Sequence, residues 1–70
     1  MTVRIMVGQE DSYRMDEYAS AWNGRKLSET KHRQNMMVEK AFAFHDQTNK
    51  QMFLLKFPLL FQAAKVVAVV

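Results

Sequence analysis

Ala41-Phe-Ala-Phe-His-Asp-Gln-Thr-Asn-Lys-Gln-Met-Phe-Leu-Leu-Lys-Phe57 is the stretch on which the fold turns. Asp46 and Thr48 can bond back to the local backbone and Asn49 tolerates a positive φ, so the polar centre reads as a tight hairpin loop between two apolar arms. If paired positions sum to an odd number, Phe42 and Phe44 share a face with Phe53, Leu55 and Phe57, giving a sheet an aromatic side to pack on helices. Pro58 cannot donate to a ladder, so it ends the second arm or marks an edge. Beyond it, Lys65-Val-Val-Ala-Val-Val70 reads as a C-terminal strand because valine-rich runs favour pleated structure; a terminal helix is the competing reading of residues 59–70.

Upstream of the hairpin the periodicity divides. Met36, Val38, Phe42 and Phe44 share a strand face, whereas Met37, Val38, Ala41 and Phe44 share a helical one. Ser28 as an N-cap, Glu29 in the first turn and a Glu29–Arg33 pair at i, i+4 favour a helix from Ser28 to Lys40. Earlier still, Thr2 to Val7 alternates, with Val3, Ile5 and Val7 on one side, the period of a half-buried strand. Gly8 ends that strand, and Asp11 or Ser12 can cap a following helix whose Met15, Tyr18, Ala19 and Trp22 fall at i, i+3, i+4 and i+7. Asn23-Gly24 stops this helix, because both residues tolerate the left-handed conformation of a C-cap. The expected fold is therefore α+β: one small domain over residues 1–70 with an N-terminal strand, two helices, then a β-hairpin and a C-terminal strand.

Seventy residues leave no room for a second domain. A chain this short buries only about 60% of the surface its unfolded form exposes, which makes a homodimer through the apolar C-terminal third the natural supplement. Without cysteine, disulfides, thiolate metal sites and cysteine nucleophiles are excluded, and a reducing, cytoplasmic setting is expected. The N-terminus turns polar at Gly8-Gln-Glu-Asp11, lacking the apolar length and cleavage site of a signal peptide. Met52 to Val70 approaches the length of a membrane span but contains Lys56 and Lys65, so it reads as core rather than as a span.

Catalytic chemistry finds no constellation. The only histidines are His32 and His45; His45 adjoins Asp46, but adjacent residues at a strand end point to opposite faces, which disfavours an oriented acid–base pair. No two histidines sit at metal-ligand spacing, and Gly8 and Gly24 are too isolated to cradle a phosphate. The chain is expected to be non-enzymatic and to need neither metal nor cofactor.

Charge is segregated along the chain: Glu10, Asp11, Asp16 and Glu17 precede Arg25, Lys26, Lys31 and Arg33. Such opposite runs can attract one another within the chain, lie on solvated faces, or meet a partner. A partner protein would use the basic residues Arg25, Lys26, Lys31 and Arg33 for steering, with an aromatic anchor at Trp22 or Tyr13, or a methionine such as Met36. Nucleic acid is the alternative, since a net charge of +3 and the basic 25–33 segment permit phosphate contacts. The expected role is that of a small regulatory or inhibitor-type protein that binds another protein.

Overall fold

Val3, Ile5 and Val7 are fully buried while Arg4 between them is exposed, so the first strand, β1 (Thr2–Gly8), buries one face as its alternation requires. The computed structural model describes residues 1–70. After a single 3-10 turn at Gln9–Asp11 comes helix α1 (Ser12–Ala21), which buries Met15 and Ala19. Asn23 ends it in the left-handed region at φ 61°. Its N–H donates to the Ser20 carbonyl at 2.9 Å and the Gly24 N–H donates to the Ala19 carbonyl at 2.8 Å, which together satisfy two carbonyls left over at the helix end. Gly24 is required for space: a Cβ there would lie 2.8 Å from the Phe44 ring.

Between residues 25 and 60 the second helix and the hairpin exchange places relative to the sequence expectation. The hairpin is formed by strands β2 (Arg25–His32) and β3 (Met37–Ala43), joined by a turn over residues 33–36. The expected helix over Ser28–Lys40 is therefore absent, and Ser28 and Glu29 are strand residues. Their capping signals are local and weak. They lose to a seven-pair ladder with β3, interrupted by one register shift between Lys26 and Ser28.

The second helix, α2 (Gln47–Leu60), occupies the expected second arm of the hairpin. Asp46 does bond back to the backbone, but as an N-cap, accepting from the Thr48 and Asn49 N–H groups at 2.7 and 3.1 Å. Phe53, Phe57 and Phe61 then fall at i, i+4 and i+8 along one buried stripe, a spacing that also satisfies strand parity for Phe53 and Phe57. Pro58 lies inside the helix rather than ending a strand, in its last turn, where little helix remains to be disrupted. The C-terminal strand, β4 (Lys65–Val69), forms as expected.

The α+β class holds, and the strands make one antiparallel sheet in the order β2-β3-β1-β4. Each helix joins two strands that flank a third, which is the split-βαβ or ferredoxin-like arrangement. Both helices pack on the face bearing Val3, Ile5, Val7, Val38, Phe42 and Phe44. Phe53 is the hub, with ring centroids 5.0 Å from Tyr18, 5.1 Å from Phe44 and 6.1 Å from Phe42. The Tyr18 hydroxyl donates to the Phe53 carbonyl at 2.8 Å, and desolvation by burial raises its pKa above the usual phenol value. The rest of the apolar C-terminal third is core or surface; no helix is long and apolar enough to cross a membrane.

One core position on β3 carries a lysine. Lys40, between Val38 and Phe42 on the helix-facing side, is fully buried. Its Nζ donates to the Ser12 carbonyl at 2.9 Å and to Asp16 Oδ1 at 2.6 Å, and lies 2.9 Å from Glu29 Oε1, so all three ammonium protons have acceptors. Lys26 closes the network, 3.1 Å from Asp16 Oδ2 and 3.0 Å from Glu29 Oε1. Two cations and two anions thus tie α1, β2 and β3 together.

Candidate functional site

The ion network accounts for much of the charge segregation. Asp16 meets Lys26 and Lys40, and Asp11 meets Arg14 at 2.7 Å, so Asp11, Asp16 and Lys26 of the opposing runs are all paired within the chain. Hydrogen bonds from Lys40 and then Lys26 lower the Glu29 carboxyl to a pKa of about 2, and the same contacts, from Glu29 first and Asp16 second, raise Lys26 above its ordinary value. Lys26 is therefore a structural cation. Arg25, Lys31 and Arg33 make no ion pair.

The remaining expected contact residues do not form one patch. Arg25 opens β2 and Arg33 follows its far end, about 25 Å along an extended strand. Trp22 sits at the α1 C-cap, half-buried against the core with the Lys56 ammonium 5.4 Å above its ring, so it packs rather than projects. Tyr13 is 73% exposed, on the side of α1 turned away from Met15 and Ala19. Of the six, only Lys31 and Arg33 come together, at the tip of the β2–β3 hairpin.

That tip gathers residues that sequence reasoning placed inside a helix. Two adjoining shallow depressions there are lined by Lys31, His32 and Arg33, with Gln9 and Met37 on one side and Gln34 and Asn35 on the other. Met36 borders the first depression, 66% exposed, with φ at 56° in the left-handed region. Its carbonyl accepts from the Gln9 N–H at 2.9 Å, and Asn35 Oδ1 accepts from the Met37 N–H at 3.2 Å, so the unusual conformation is held from both sides. Asn35 was the available signal, as a turn-forming residue at the end of a polar run.

Behind the tip, the sheet face not covered by helices carries His32, Glu39 and Arg4 on a diagonal across β2, β3 and β1. Glu39 Oε1 is 3.6 Å from His32 Nε2 and its Oε2 is 3.5 Å from Arg4 Nη1. His32 Nε2 is shielded from solvent and makes no hydrogen bond. No three His, Asp or Glu side chains converge as metal ligands. The open face also lacks Phe, Tyr and Trp, with His32 its one ring: all five phenylalanines are buried, and Tyr13, Tyr18 and Trp22 belong to α1 and its cap. Compared with known protein families, curated proteins and solved structures, the chain matches none of them.

Proposed function

We propose that the protein is a small, non-enzymatic regulatory or inhibitor-type module that works as a cytoplasmic homodimer and binds another protein through the tip of its β2–β3 hairpin. The observation that carries this reading is Met36, an exposed apolar side chain fixed in a left-handed turn and flanked by the unpaired cations Lys31 and Arg33. A pre-set apolar knob with a cationic rim suits an acidic surface with a small cleft, because the knob contributes burial and the rim steers encounter. Methionine adapts its shape to such a cleft.

A nucleic-acid partner is the second reading, favoured by Arg4, Arg25 and Lys65 in strands whose outward sheet face offers Glu39 as its acid. It would rest mainly on phosphate contacts, since His32 is the only ring the face offers to bases. The two readings separate in a capture experiment from host extract, run with and without nuclease, using the wild-type protein and a Met36→Ala, Arg33→Glu variant. A nuclease-resistant protein retained by the wild type and lost by the variant supports the first reading. Loss of every partner on nuclease treatment moves the assignment to nucleic acid.

A further inference from the structure

The sheet has two edges of opposite character. β2 presents Arg25, Lys26, Glu29, Lys31 and His32 over eight residues, a charge density that discourages pairing with another strand. β4 is Lys-Val-Val-Ala-Val, with Lys65 its only charge. Thr2 and Val70 exchange both backbone hydrogen bonds, at 2.9 and 2.8 Å, so the alternation of an antiparallel pair turns the N–H and C=O of Val69 away from β1 and leaves them unpaired. Val69 is the cross-strand partner of the buried Val3, so its side chain lies in the helix-covered layer; yet it is 47% exposed, and Val67, the extra residue of a bulge between Val66 and Ala68, is 48% exposed. The apolar layer runs off the β4 edge without a cover.

Helix α2 extends that surface. It connects β3 to β4 and so crosses β1, next to the β4 edge. Its α1 side is marked by Leu60, whose carbonyl accepts from Arg14, and by Lys56 over Trp22. By helical geometry the opposite side carries Gln51, Leu54, Leu55 and Pro58, with Lys50 one turn before Leu54 as its charge. Leu55 is 68% exposed.

We infer that a second copy of this chain pairs antiparallel with β4, joining two sheets into one of eight strands with the Leu54 and Leu55 flanks of the two α2 helices meeting above the seam. This rests on the homodimer part of the proposed function and specifies its geometry. The edge is self-complementary: in the register centred on Ala68, which sets Val69 opposite Val67 of the second copy, the two Lys65 side chains lie at opposite ends of the seam, about 20 Å apart. That exceeds the screening length of about 8 Å at physiological salt, so the two Lys65 side chains do not repel one another across the strand seam. A standard stable interface buries about 800 Å² per partner, so the strand edge and the helix flank must both take part.

The test is sedimentation equilibrium of the wild type and of Val69→Lys and Leu55→Glu variants, with far-UV circular dichroism confirming the fold. A wild-type dimer at about 100 μM that both variants weaken at least about tenfold is the expected result. Leu55→Glu alters an exposed helical position and leaves the strand intact, so it remains decisive if Val69→Lys disturbs folding. A dimer indifferent to both substitutions overturns the β4 geometry while the homodimer stands; a wild type that stays monomeric overturns both.

Discussion

Lys40 explains at one residue both what holds the hairpin to α1 and why the hairpin was hard to read. Val38, Phe42 and Phe44 alternate onto the core face of β3, and a fourth apolar residue at position 40 would have completed an unmistakable strand. The lysine breaks the pattern, and the carboxylates that compensate it, Asp16 and Glu29, come from other elements. Removing one partner from a buried ionic cluster is costly, whereas an apolar replacement of similar shape is tolerated better. Lys40→Ala is expected to destabilise the fold by about 3 kcal/mol and Lys40→Met by about 1 kcal/mol, read from urea unfolding. Glu29 adds a pH signature. Its folded pKa of about 2 lies below the ordinary 4.5, so between those values the unfolded chain binds the proton that the folded chain releases. The stabilisation is complete above pH 4.5 and is lost as the pH falls towards 2. The stability difference between wild type and Glu29→Gln should therefore be largest at neutral pH and shrink across that window in acid urea titrations.

At the scale of elements, the hairpin tip makes the functional prediction. Exposed rim charges act mainly on encounter, and a seated apolar side chain acts mainly on residence. With the captured partner in hand, Lys31→Glu combined with Arg33→Glu should slow association about tenfold with little change in dissociation, while Met36→Ala should speed dissociation, both by surface plasmon resonance. The same elements show what the sequence could convey. β1, α1 with its Asn23 stop, and β4 were legible because each carries its own period or cap. The inventory of a second helix and a hairpin was also right, but their order was not. β2 has no buried residue to announce a strand, and its identity comes from pairing with β3. Phe53, Leu55 and Phe57 fit strand parity as well as Phe53, Phe57 and Phe61 fit a helix, and the capping role of Asp46 decides between them only once the chain is folded. The tip was hidden for the same reason: Lys31 to Met36 has a location only when β2 and β3 pair.

For the whole molecule, the split-βαβ topology constrains geometry without naming a function, since the arrangement hosts many. Its consequence here lies in the two edges. Joined at β4, two copies place their β2 strands at the outer margins of an eight-stranded sheet, about 34 Å apart, with the hairpin tips pointing in opposite directions. Such a dimer would engage two partner molecules, or two sites on an extended one, rather than a single small globular surface. The seam itself can be followed at one atom. Because Thr2 and Val70 exchange both of their hydrogen bonds, the Val69 N–H faces outward from the sheet. In an isolated chain that amide is at a free edge and exchanges with solvent quickly; across the seam it donates to the second copy and is protected in proportion to the dimer fraction. Hydrogen exchange followed by NMR should therefore show the Val69 amide slowing as protein concentration rises, while outward amides of β2 stay unchanged. Slowing at β2 instead would place the second copy on the charged edge, and uniform slowing of both would report a gain in global stability rather than a new strand pair.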